Sequence, residues 1–180
     1  MLRFLLPLAL AGFAAPAFAT DWSVDTEASS VGFRTNAFGG GVEGAFERYE
    51  AEIRLDPADL SNAMINASVF TDTGSTGNGQ MDESMLSAAG LAPGDHPAAT
   101  FTSGDIRAVD GGYEAHGTLT IRGTDQAVIL PFTLEINESR AIADGELEIA
   151  RMDYGVGDSS WGDIAASVTI VLHIEADAAE

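Results

Sequence analysis

The chain has 180 residues, 46% of them hydrophobic, with 28 Asp plus Glu against 8 basic residues, all of them arginine, and no cysteine. So acidic a surface repels phosphate backbones and anionic lipid, which excludes nucleic-acid binding. Without cysteine there is no disulfide, thiolate metal site or cysteine-linked lipid anchor.

Residues 1–19 read as a secretory signal peptide. Arg3 is the basic n-region, residues 4–10 running towards Phe13 are the apolar h-region, and Ala17-Phe18-Ala19 is the small-x-small cleavage site. Removing Arg3 from the formal charge of −20 leaves 7 arginines, 28 acids and −21 on residues 20–180. No other stretch approaches the ~20 apolar residues of a membrane-spanning helix. A mature chain of this length suits one domain, able to bury its core without staples.

Period-two alternation predicts strands along nearly the whole of it. Trp22 staples an N-terminal strand. Val31 and Phe33 open another, and Val42, Gly44 and Phe46 a third, whose phase shifts to Tyr49, Ala51, Ile53 and Leu55 through a bulge near Glu47-Arg48. Asp56-Pro57-Ala58-Asp59 is a turn or a short helical turn, followed by Ala63, Ile65, Ala67 and Val69 on one strand face. Residues 74–79 form a flexible glycine-rich loop. Residues 80–89 then change to helical spacing through Met81, Met85, Ala88 and Ala89, with Asn78 as cap and Gly90 as stop. Strands resume with Ala115, Gly117, Leu119 and Ile121; with Val128, Leu130, Phe132, Leu134 and Ile136; with Ala143, Gly145, Leu147 and Ile149; and with Val168, Ile170, Leu172 and Ile174. Turns fall at Asp110-Gly111-Gly112, Gly123-Thr124-Asp125 and Asn137-Glu138-Ser139.

About eight strands at these spacings suit an antiparallel meander. Many inward positions are small: Gly44, Ala51, Ala67, Ala115, Gly117, Ala143 and Gly145. A sandwich would need large side chains there, whereas eight strands closed into a barrel leave room for one ligand.

Seven segments carry a family resemblance: residues 25–33 (DTEASSVGF), 44–46 (GAF), 55–60 (LDPADL), 76–82 (TGNGQMD), 96–103 (HPAATFTS), 117–123 (GTLTIRG) and 151–157 (RMDYGVG). In this order they resemble the YceI-like family of periplasmic proteins that bind polyisoprenoid lipids. The resemblance implies an all-β fold, an extended eight-stranded antiparallel lipocalin-like barrel with a short helix near one end. It also implies a long isoprenoid chain inside, as in polyprenyl phosphates or isoprenoid quinones. Some relatives sit with b-type cytochromes, and the variant of residues 154–157 with Trp161 is similar to that subgroup. Ala28, Met81 and Ala89-Gly90-Leu91 depart from the pattern, where relatives often carry a histidine, an arginine and an aromatic pair. Losing an imidazole and a cation favours a neutral head group over a pyrophosphate.

The residues add little sign of catalysis. His116 and His173 fall on outward strand faces, His96 precedes a proline in a loop, and none has the spacing of a metal motif. Asp82-Glu83 with Glu43, Glu47 or Glu50 could make a carboxylate pair, but 28 acids produce such pairs by chance. Ser29-Ser30 and Ser159-Ser160 lack a nucleophile-elbow context. Arg122 and Arg151 either bind an anionic head at the barrel mouth or pair structurally with Asp125 or Asp153. Met81 and Met85 are core-facing or form an adaptable lid beside the glycine-rich loop.

The expectation is a periplasmic binding protein, not an enzyme, with no cofactor and no metal. Its ligand would be a polyisoprenoid lipid or isoprenoid quinone held by Phe33, Phe46, Ile65, Val69, Phe101, Leu119, Ile121, Leu130, Phe132, Leu134, Leu147, Ile149, Ile170 and Leu172. Two rival readings are an accessory subunit docking a membrane b-type cytochrome through its acidic face, and an enzyme acting on an isoprenoid head group. A homodimer is a further expected partnership.

Overall fold

The computed structural model describes residues 20–158 and 161–179. The signal peptide read from residues 1–19 and the Ser159-Ser160 pair lie outside them.

The first half supplies β1 (Asp21–Val24), β2 (Ser30–Ala37), β3 (Gly40–Phe46), β4 (Tyr49–Arg54), β5 (Met64–Phe70), the two-residue β6 (Gly74–Ser75) and the helix α1 (Gly79–Leu86). The second half supplies β7 (Ala98–Val109), β8 (Gly112–Ile121), β9 (Thr124–Asn137), β10 (Arg140–Ala150) and β11 (Ser167–Ala178). All pairings are antiparallel. The order β1-β4-β5-β7-β8-β9-β10-β11 closes on itself because β1 also pairs with β11, Trp22 opposite Ala178. β1 and β2 occupy successive lengths of β11, and β2 pairs with β3 where β1 pairs with β4. Each of these two couples therefore acts as one broken strand, and the barrel has eight staves.

The phase shift expected at Glu47-Arg48 is the break between β3 and β4, where Glu47 N–H and Arg48 N–H turn to the Thr73 carbonyl and hydroxyl. Asp56-Pro57-Ala58-Asp59 is the turn expected, leading into a single 3-10 turn (Leu60–Asn62) capped by the Asp59 carboxylate. β9 alternates strictly, half-buried or buried at even positions and exposed at odd ones from Thr124 to Glu135. Ile136 lies past the closed part and is exposed.

Three local expectations change, and one strand, β7, was not foreseen. α1 ends at Leu86 rather than Ala89: Ser87 donates from both its N–H and its hydroxyl to the Ser84 carbonyl, and Gly90 folds back against the Met85 carbonyl, too close for any Cβ. The turn after β8 is Arg122-Gly123, both at positive φ, so Thr124 and Asp125 already belong to β9. Residues 74–79 are held rather than loose, since Gly74 and Ser75 pair with Phe46 and Ala45. β7 had no alternation to reveal it, because a register shift between Ser103 and Asp105 breaks its period.

The register puts the turns at 38–39 and 122–123, α1 and the 151–166 connection at one end, here called the upper end. The lower end is packed solid by Trp22, Leu55, Ala63, Ile106, Ala115, Leu130, Ala141 and Ala176, with the Trp22 indole N–H donating to the Leu55 carbonyl at 2.9 Å.

Candidate functional site

Above the lower plug the inward side chains do not meet, and a cavity of about 690 Å³ lies between them. Small residues cause the gap, though not all seven singled out contribute equally. Ala51, Ala67, Ala143 and Gly145 stand in the cavity wall. Gly44 and Gly117 instead seat aromatic rings: a Cβ at Gly117 would lie 2.8 Å from the Phe101 ring, and one at Gly44 would run into Phe33. Ala115 is wholly buried in the plug.

The fourteen aliphatic and aromatic residues named from the sequence, Phe33, Phe46, Ile65, Val69, Phe101, Leu119, Ile121, Leu130, Phe132, Leu134, Leu147, Ile149, Ile170 and Leu172, all stand in this wall. It also contains Tyr49, Tyr154, Trp161 and Ile164, which had not been put forward. Alternation already puts Tyr49 on one strand face with Ala51 and Ile53, though not among the ligand candidates. Tyr154, Trp161 and Ile164 sit in an irregular connection with no period to follow.

Met81 and Met85 reach the cavity from α1 together with Gln80 and Ser84, one face of the helix. The Asn78 side chain caps that helix by accepting from the Gln80 and Met81 N–H groups, the cap expected for it. Asp82 latches the helix to the preceding loop. Its carboxylate accepts from Thr76 Oγ1 at 2.7 Å, Thr76 N–H at 2.6 Å and Ser75 Oγ at 2.8 Å. These bonds, those from Thr76 foremost, hold it below the usual carboxylate range.

Neither Arg122 nor Arg151 is held by the aspartates considered for them. Arg122 Nη1 donates to the carbonyls of Ala89, Gly90 and Gly155 at 2.8–3.0 Å, tying the segment after α1 to the 151–157 segment. Arg151 is buried, 8% exposed, and donates to the carbonyls of Ala165, Val156 and Ile164 at 2.8–3.0 Å. Its guanidinium also lies 5.4 Å from the Trp161 ring centroid. Carbonyls win because the irregular connections between β10 and β11 and between α1 and β7 lie outside the strand ladder, and buried carbonyls must find donors. The other described arginines each meet acids: Arg34 with Glu146, Arg48 with Asp72, Arg54 with Asp21, Arg107 with Asp105, and Arg140 with Asp25, Glu175 and Asp177.

The histidines lie away from one another. His116 Nε2 is 3.0 Å from Glu114 on the outer face of β8, and the His96 carbonyl accepts from Thr71 Oγ1. His173 faces outward between Asp144 and Glu175, at 2.7 and 3.2 Å, and the Asp144 hydrogen bond above all raises its pKa. Among the described residues no group of three or more His, Asp or Glu is arranged to hold a metal ion.

Known proteins are similar to this chain in sequence and in fold. A family model described as "YceI-like domain" matches residues 22–176. Escherichia coli Protein YceI is 25% identical over 97% of both chains, and a UPF0312 protein of Pectobacterium atrosepticum is 26% identical over 90% of this chain and 76% of its own. Among solved structures, Burkholderia cenocepacia BcnA is 27% identical with a TM-score of 0.81, covering 85% of this chain and 99% of its own. A polyisoprenoid binding domain from Saccharophagus degradans is 15% identical with a TM-score of 0.67, over 88% and 98%, a likeness of fold. The matched segment takes in every strand of the barrel, and the chain belongs to the YceI-like family.

Proposed function

We propose that this protein is a periplasmic binding protein that keeps one long apolar chain, that of a polyisoprenoid lipid or isoprenoid quinone, out of water inside its barrel. The observation that carries this reading is the 690 Å³ cavity with an almost wholly aliphatic and aromatic wall. Its volume falls in the range of small-molecule sites. The binding energy is desolvation: at about 0.8 kcal/mol per buried methylene, ten such groups contribute about 8 kcal/mol before ordering costs. The neighbour named as a polyisoprenoid binding domain supports the ligand class, and family and neighbour together support binding rather than catalysis.

The head group we favour is uncharged. Every described arginine already serves a carboxylate or a set of carbonyls, so a phosphate at the mouth would have to displace one of them. Neutral polar groups of α1, Gln80 and Ser84, border the cavity and suit a quinone or an alcohol. Trp22 and Trp161 are in the wall, so titration followed by tryptophan emission reports occupancy. A long-tailed quinone is expected to bind and a polyprenyl phosphate of equal tail length to bind less well. Equal or tighter binding of the phosphate would overturn the head-group assignment, and binding of neither would overturn the carrier reading.

A further inference from the structure

We propose that the Phe38 turn at the upper rim is the point at which this protein docks on a zwitterionic lipid bilayer. Phe38 is 69% exposed, the most exposed of the large hydrophobic residues among those described. It sits in the two-residue turn Phe38-Gly39 between β2 and β3 with φ of +53°, a conformation that suits Asn or Gly and is costly for a bulky side chain. An aromatic this exposed gains little from packing, and at a left-handed position it strains the turn rather than relaxing it. The turn is nevertheless fixed: Phe38 N–H donates to the Asp163 carbonyl at 2.9 Å, Ala37 bridges to Ile164, and Ala165 N–H donates to the Asn36 carbonyl at 2.8 Å.

Its place gives the exposure a use. Phe38 also borders the cavity, so this turn presents an apolar side chain both to the interior and to the outside. Met152, 51% exposed, borders a surface hollow together with Gly39, which brings a second exposed apolar side chain beside the turn. Gly39, Gly40 and Gly41 follow with no side chains to hold the turn off a flat surface. The other exposed apolar residues, Val109, Ile129 and Ile136, belong to the lower end or the barrel side. Single residues there are ordinary.

The occupant follows from chemistry. This inference rests on the proposed function: a chain stored in the cavity has its source in a membrane, and passing it through water forfeits the burial that binds it. Seating the rim in the headgroup region avoids that exposure. The net charge of −21 on residues 20–180, with Asp158 and Asp163 lining the adjoining hollow, disfavours an anionic surface and leaves a zwitterionic one.

The test uses the mature protein and vesicles of phosphatidylcholine alone, without any isoprenoid, with the bound fraction read by flotation. Wild type is expected to float with the vesicles, and Phe38→Asn, which fits the turn conformation, to float about five- to tenfold less at equal lipid. Phe38→Trp is expected to keep binding and to show emission quenched by brominated phosphatidylcholine. Failure of wild type to float, or equal flotation of Phe38→Asn, overturns the proposal. Protein that carries a co-purified isoprenoid lipid yet ignores these vesicles refutes docking alone and leaves the carrier reading standing.

Discussion

Replacing Ala67 with phenylalanine distinguishes a hollow barrel from a filled one by the sign of its effect on stability. Ala67 stands in the cavity wall on β5, opposite Ala51 on β4 and Phe101 on β7, so a small residue adjoins it on one side. In a close-packed core the added ring would overpack and cost about 1–3 kcal/mol. Facing a cavity it covers apolar wall instead, and cavity filling of this kind stabilises by about 0.5–2 kcal/mol. The ring adds six carbons, so a bound chain gives up the space of an isoprene unit. At about 0.8 kcal/mol per methylene, five carbons amount to about 4 kcal/mol, a thousandfold in Kd. Calorimetry on delipidated protein is expected to show Tm higher by a few degrees, at about 2–4 °C per kcal/mol. Tryptophan titration with a long-tailed quinone is expected to show the loss of affinity. A lower Tm with unchanged affinity would refute the reasoning.

Arg151→Lys is expected to destabilise the protein by about 2–4 kcal/mol in urea unfolding, because a single ammonium cannot serve the three carbonyls that the planar guanidinium reaches. A change below 0.5 kcal/mol would contradict that role, at roughly the scale of ordinary surface substitutions. If α1 closes the cavity, Asp82→Asn, which removes an ionised acceptor from the bonds between α1 and the preceding loop, is expected to speed ligand release about five- to tenfold with little change in Tm; unchanged release would assign those bonds to folding alone. His173 lies between Asp144 and Glu175 with its pKa raised above 6.5, so the native state keeps this proton to higher pH than the unfolded chain. Its contribution to stability is complete below pH 6.5 and is lost as pH rises through the native value, and His173→Gln is expected to flatten that limb. On the acid side Asp25 and Glu175, both lowered chiefly by Arg140, contribute in the opposite sense: their stabilisation is lost as pH falls below the ordinary 3.8 and 4.5. An NMR titration placing His173 at or below 6.5 would contradict the first half.

The strands from β8 to β11 were legible because each is long and has one apolar face, and the turns between β8, β9 and β10 carry glycine or polar residues. β9 carries Val128, Leu130, Phe132 and Leu134 inward without interruption. β7 was hidden because its inward positions include Ala99 and Ser103 and its period slips at Gly104, and β6 because two residues show no period at all. The named wall residues on strands followed from alternation except Phe101, which stands on β7, where no period showed. Tyr154 and Trp161 did not, since their inward positions depend on Arg151 gathering the carbonyls of a connection that has no repeat. The arginines themselves misled for a related reason: Arg122 and Arg151 have aspartates nearby in sequence, but carbonyls left over by tertiary folding outcompete them.

Native mass spectrometry of the protein purified from its own host, followed by identification of extracted lipid, tests the carrier reading most directly. One polyisoprenoid lipid or isoprenoid quinone per chain is predicted. Ligand-free protein that also refuses added long-tailed quinone and polyprenyl phosphate would contradict it.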